Sequence, residues 1–147
     1  MKFRYTTVNE PIKQYKPNTK EKKDLLNEYN RLANQITEIP LIIGGKEVKT
    51  GNTKTCIMPH NHQHILANYH LAKEEEVHIA IKNSLETWKI WSKSSLEKRV
   101  TIFRKAAELL RVKWRNTINA ATMLNQSKNA FQAEIDSACE LIDFFNF

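Results

Sequence analysis

Three histidines at alternate positions, His60, His62 and His64, are the residues of this chain whose type and spacing come nearest to metal chemistry. On an extended strand alternate side chains share a face, so three imidazoles can converge on one ion, with Cys56 as a nearby fourth ligand. Asn61 favours a turn and would break the alternation, so the same run also reads as a polar loop or strand edge, and that is the reading preferred here. Cys56 and Cys139 are the two thiols. An activated thiolate needs an adjacent histidine or a helix N-terminus, and neither lies near them in sequence, so both read as packing residues in a reducing compartment. Glu140 shares a helical side with Asp136 and Asp143, which by spacing alone is a solvated acidic face. Trp88, Trp91 and Trp114 sit at helical intervals that predict core or interhelix contacts.

The elements that must carry these residues follow from periodicity and punctuation. Pro11 and Pro17 interrupt any helix in residues 1–17, which read as an extended arm. Its first seven residues are basic and hydroxylated like the tail of a mitochondrial presequence, but too short for a complete one. Asn18 and Glu21 form a capping-box pair for a first helix over about 20–36, closed by Pro40. Leu41-Ile42-Ile43 and Glu47-Val48-Lys49 flank Gly44-Gly45 as a tight hairpin. Gly51-Asn52 turns into a strand over about 53–58, and Ile65 to Leu71 supplies another. From Lys73 the period is helical, with Val77, Ile81, Leu85 and Trp88 on one face. Ser94 and Glu97 open a third helix bearing Val100, Phe103, Ala107, Leu110 and Trp114, continuing through Ile118, Ala121 and Met123. A fourth, about 130–145, presents Ile135, Ala138, Leu141, Ile142 and Phe145. The expected architecture is mainly α-helical, with a small antiparallel β-hairpin or meander between helices.

A net charge of +7 is concentrated at the front, where seven Lys or Arg precede residue 24 against Glu10 and Glu21. A dispersed lysine excess is a solvated face more often than a phosphate groove, so nucleic acid is not the expected partner. No apolar run reaches the length of a membrane span. The three glycines form no spaced cluster, so the sequence contains no phosphate cradle. From Ala130 onward every charge is acidic, while Phe144, Phe145 and Phe147 crowd the last residues without a capping glycine. This predicts an N-terminal piece of something longer.

Several stretches resemble one family: Val8-Asn9-Glu10-Pro11, residues 39–48 around Leu41-Ile42-Ile43-Gly44-Gly45, Met58-Pro59-His60-Asn61-His62-Gln63-His64, residues 120–128, and residues 133–145 ending Ala138-Cys139-Glu140-Leu141-Ile142-Asp143-Phe144-Phe145. They are similar, in order and rough spacing, to the mitochondrial and bacterial enzymes that oxidise glutamate γ-semialdehyde, the open form of Δ1-pyrroline-5-carboxylate, within the aldehyde dehydrogenase superfamily. The resemblance implies an α/β fold for the whole enzyme, with residues 18–147 as an incomplete first part of its domain. It implies NAD as cofactor and L-glutamate γ-semialdehyde as substrate, in proline breakdown. The reaction would be thiolate attack on the aldehyde, hydride transfer to NAD and hydrolysis of the thioester to glutamate. In that family the nucleophilic cysteine, its general-base glutamate and the nicotinamide site lie farther along, so the 147 residues alone are expected to be inactive.

One site residue carries over. Relatives place a glutamate at the position of Glu140 near the amino-acid end of the substrate, where a carboxylate can pair with the α-ammonium. The histidines fall in a family segment without a metal, so no metal is expected. A homo-oligomer is expected, in the mitochondrial matrix if the host is eukaryotic and in the cytoplasm if bacterial. The alternative is a self-contained basic helical module binding RNA or a protein partner.

Overall fold

The computed structural model describes residues 8–147. The presequence-like start and the front half of the expected arm lie outside the described residues. Residues 8–17 carry no helix or strand. Helix α1, Lys20–Ala33, begins one residue later than the capping box implies. Asn18 takes a left-handed φ of 64°, so Thr19 becomes the extended cap and its Oγ1 accepts from the Lys22 N–H. The helix stops at Ala33 because Asn34 caps it, its Nδ2 donating to the Asn30 carbonyl at 2.8 Å. Ile36 is therefore outside the helix.

The chain then forms β1, Thr37–Ile39, which periodicity did not reveal, followed by β2, Leu41–Ile43, and β3, Lys46–Val48. Strands β2 and β3 pair antiparallel across Gly44 and Gly45. Gly44 has φ +58°, a backbone conformation that favours glycine, and a Cβ there would stand 2.9 Å from Oδ1 at the tip of the Asn83 side chain. After Gly51 come β4, Thr53–Met58, and β5, Asn61–His70. These pair antiparallel, with register shifts around Ile57, while β1 joins the other edge of β5 in parallel, Thr37 opposite Ala67. The region is thus a hairpin plus a mixed three-stranded sheet, order β1-β5-β4, with a parallel pairing beyond the expected meander.

Helix α2, Glu74–Trp91, buries no residue. Its apolar stripe exists as periodicity predicts, but Val77, Ile81, Leu85 and Trp88 all face solvent, with Trp88 64% exposed. Helix α3, Leu96–Leu109, is capped by Ser95 through the Lys98 N–H, while Ser94 donates back to Ile90; the cap lies one residue after the expected Ser94. A π-helical turn, Leu110–Trp114, leads without a break into α4, Arg115–Gln126. Ser127 then turns left-handed, and α5, Ala130–Ala133, a second π-helical segment, Glu134–Cys139, and α6, Glu140–Asn146, complete the chain.

Two cores hold the helices. Tyr15, Leu25 and Ala120 pack the arm and α1 against α4, while Ala107, Leu110 and Ile142 pack α3 against α6, with the Phe103 and Phe145 rings 6.1 Å apart. The first π turn explains the one large misplacement on this helix. Spacing of four from Leu110 puts Trp114 on the buried face, but a π turn inserts one residue and moves that place to the next position. Arg115 is accordingly 4% exposed and Trp114 47%. With Trp88 also in solvent, two of the three tryptophans are not the core residues that spacing predicts.

Candidate functional site

Arg115, brought inward by the π turn, is the centre of a buried polar cluster. Its Nη2 donates to Glu134 Oε1 at 2.5 Å and to the Pro11 carbonyl at 2.7 Å, and its Nη1 donates to Glu10 Oε1 at 2.5 Å. Arg111 adds a second cation, donating to Glu10 Oε2 at 2.8 Å. Glu134 is fully buried, and beyond Arg115 it accepts from the Lys13 N–H at 2.8 Å, the Tyr15 hydroxyl at 2.7 Å and Asn119 Nδ2 at 2.7 Å. Two arginines thus face two glutamates, and the carboxylate with least access to water has most donors, which is the condition under which buried charge is tolerated.

The electrostatics follow from these contacts. Burial pushes the Glu134 carboxyl upward, but hydrogen bonds from Arg115, the Lys13 N–H and Tyr15 outweigh it and hold the group below the ordinary carboxylate range. Burial first, and then the Glu134 carboxylate, raise the Tyr15 phenol. Arg115 loses by burial and gains more from Glu134 and Glu10, so it stays charged. Cys139 lies 3.4 Å from Arg115 Nη2, yet burial and the Glu134 charge raise its thiol to about 11. A thiol at that value is the opposite of an activated nucleophile, in agreement with the packing role read from sequence. Cys56, partly exposed, donates to Asn125 Oδ1 at 3.3 Å.

The cluster also fastens the arm. The Glu10 N–H donates to Asp143 Oδ1 at 2.7 Å, and Tyr15 holds a left-handed φ of 47° while its hydroxyl reaches Glu134. A bulky residue in that region is strained, so the cluster overrides a local preference.

Glu140 stands just outside this cluster, at the first position of α6, and is exposed. The acidic side read from spacing is taken apart by the second π segment. Asp136 pairs with Lys128 at 2.7 Å, and Asp143 turns inward to the Glu10 N–H. Of the three carboxylates, Glu140 is the one that no described residue engages. The histidines also diverge. His60 meets Ser127 Oγ at 2.8 Å at the end of α4, while His64 Nε2 donates to the Ala33 carbonyl at 2.7 Å at the end of α1. Among the described residues no three His, Cys, Asp or Glu side chains are grouped to hold a metal.

Sequence reasoning missed Arg115, Glu134, Asn119 and Tyr15. The available signal was the charge of Arg115 beside an apolar stripe, and it becomes readable only once a five-residue interval is allowed. The glycines sit in turns flanking short strands, none at a strand-to-helix junction, so these residues do not fit a dinucleotide phosphate cradle. No helix among the described residues is long and apolar enough to cross a membrane.

The sequence profile of the aldehyde dehydrogenase family matches residues 47–147. The Delta-1-pyrroline-5-carboxylate dehydrogenase of Dictyostelium discoideum, named mitochondrial, is 38% identical over 142 residues, 97% of this chain and 25% of that protein. A probable Delta-1-pyrroline-5-carboxylate dehydrogenase of Schizosaccharomyces pombe is 40% identical over 140 residues, 95% of this chain and 26% of that protein. Among solved structures, the Delta-pyrroline-5-carboxylate dehydrogenase of Mycobacterium tuberculosis bound with NAD and cobalamin superimposes with a TM-score of 0.95 at 34% identity, over 100% of this chain and 28% of that one. The chain therefore spans about a quarter of the length of the relatives it matches. The α/β fold class and the family resemblance read from sequence both stand, and nothing in these likenesses supports the self-contained basic module.

Proposed function

Since this chain belongs to the aldehyde dehydrogenase family, we propose that it forms the first section of an NAD-dependent dehydrogenase that oxidises L-glutamate γ-semialdehyde to glutamate in proline breakdown. The observation that carries this reading is the superposition of the whole chain on a Delta-pyrroline-5-carboxylate dehydrogenase at a TM-score of 0.95. NAD belongs to the remainder of the fold, since no residue group among the described residues suits its phosphates, and on this reading the nucleophilic thiolate lies there too.

This section contributes a scaffold and one recognition group. Glu140, exposed and without a described partner, supplies a carboxylate for the α-ammonium of the substrate. A charge-assisted hydrogen bond there fixes the amino-acid end and leaves the aldehyde end to the catalytic thiolate. The exposed apolar residues of α2, with Phe144 and Phe147 at the end of α6, are the surface on which the rest of the fold packs. The enzyme assembles as a homo-oligomer, in the mitochondrial matrix of a eukaryotic host or the cytoplasm of a bacterial one; the Dictyostelium relative is named mitochondrial.

The test uses the native polypeptide that carries these 147 residues. Glu140→Gln should raise the Michaelis constant for the semialdehyde roughly tenfold and leave that for NAD within about twofold. An unaltered semialdehyde constant would remove Glu140 from the site, and a native polypeptide that does not reduce NAD with the semialdehyde would remove the activity. The 147 residues alone should show no turnover.

A further inference from the structure

We propose that the Arg115–Glu134 ion pair is a positioning device for Glu140: it locks the π-helical segment Glu134–Cys139 and so sets the direction in which Glu140 leaves the helix. The consequence for substrate rests on the reading of Glu140 given above; the geometry does not.

A π segment has poorer helical geometry than the α-helix around it and persists where surrounding contacts select it. Both ends of this one face the same guanidinium. Glu134, its first residue, accepts from Arg115 Nη2 at 2.5 Å, and Cys139, its last, lies 3.4 Å from that nitrogen. In an α-helix residues five apart point about 140° away from each other, so the two could not meet one nitrogen. The π register brings them onto one side. Glu134 cannot easily move, because the Tyr15 hydroxyl, Asn119 Nδ2 and the Lys13 N–H hold its oxygens as well.

The segment beyond Glu140 is tied to the same cluster. Asp143 accepts from the Glu10 N–H, and the Glu10 carboxylate accepts from Arg115. Glu140 is thus bracketed by Cys139 and Asp143, each referred back to Arg115. Removing the inserted residue of the π segment would turn everything after it by about 100° relative to α5, and Glu140 would face a different direction. Arg115 itself follows the other π turn, Leu110–Trp114, so the cluster clamps the two irregular turns of the bundle together.

Glu134→Gln in the native polypeptide keeps the shape and one acceptor oxygen but removes the charge that makes the fork. The expected crystal structure has residues 134–139 relaxed toward α-helix, with Glu140 redirected. The Michaelis constant for L-glutamate γ-semialdehyde should rise roughly fivefold with that for NAD unchanged, and Glu134→Gln with Glu140→Gln together should do no more than Glu140→Gln alone. A variant that keeps the π segment and the direction of Glu140 overturns the proposal. A rise shared equally by the semialdehyde and NAD constants also overturns it, because that is the signature of general loosening. If the segment relaxes while neither Glu134→Gln nor Glu140→Gln moves the semialdehyde constant, the positioning device stands and the substrate role of Glu140 falls. Should Glu134→Gln fail to fold, Arg115→Lys retains the cation without the fork: a partial relaxation supports the device, and an unchanged π segment overturns it.

Discussion

Arg115 occupies the buried position that a four-residue step from Leu110 would give to Trp114, and Trp114 lies outside with Lys113 Nζ 4.9 Å from its ring centroid. One inserted residue exchanges an aromatic for a charge on the inner face of the helix. Neighbouring substitutions should therefore differ sharply. Arg115→Ala leaves Glu134 and Glu10 buried without their cation and is expected to cost about 3–5 kcal/mol. Trp114→Ala, at a half-exposed side chain, is expected to cost less, about 1–2 kcal/mol. Urea unfolding of the native polypeptide and the two variants compares them directly.

Gly44 and Gly45 share a left-handed turn but not its surroundings. Gly45→Ala meets open space and should cost about 1 kcal/mol for backbone alone. Gly44→Ala must also turn aside the end of the Asn83 side chain, whose Oδ1 a Cβ would approach to 2.9 Å, and should cost slightly more. A lower melting temperature for Gly45→Ala than for Gly44→Ala would contradict this.

The acid limb of stability carries a definite sign. Glu28 bonds Arg31, the largest influence on it, and against the cost of its burial also accepts from Thr117 of α4 at 2.7 Å; its carboxyl is held at about 2 against an ordinary 4.5. A lowered folded value means the contribution is complete above pH 4.5 and is lost as pH falls toward about 2. Glu134, also lowered, acts with the same sign. Glu28→Gln should therefore flatten the fall of the urea midpoint across that window while changing its pH dependence little above pH 5, and an equally steep fall in the variant would rule out this linkage.

The two thiols should label at different rates. With Cys139 at about 11, on the order of a thousandth is thiolate at pH 8, and the side chain is buried as well. Cys56 is partly exposed. Iodoacetamide at pH 8 should modify Cys56 first, by peptide mass mapping, and Cys139 only on unfolding. Equal rates would mean that the cluster opens readily.

What the sequence made legible was local. The β2 and β3 hairpin is written in Gly44-Gly45, and α2 in its first-turn glutamates and its period. Helix caps shifted by one residue because two adjacent side chains could each serve, Asn18 or Thr19 and Ser94 or Ser95, and backbone φ decided between the first pair. Strand β1 escaped because three residues hold no period and its partner lies some thirty residues away. The Arg115 cluster escaped for a different reason: a π turn is selected by tertiary contacts, so a scan at intervals of three and four assigns Trp114 inward. The second π segment, Glu134–Cys139, likewise divides Asp136, Glu140 and Asp143, which spacing had joined. The family resemblance was legible because it rests on strings such as Pro59-His60-Asn61-His62 rather than on period.

With Trp88 largely in solvent and Trp114 half-exposed, these two indoles report on their surroundings. Trp88, the more exposed of the two, will emit near the wavelength of tryptophan in water. Any protein surface that settles over α2 will move that emission to shorter wavelength and shield Trp88 from iodide, so assembly can be followed by fluorescence without an added dye.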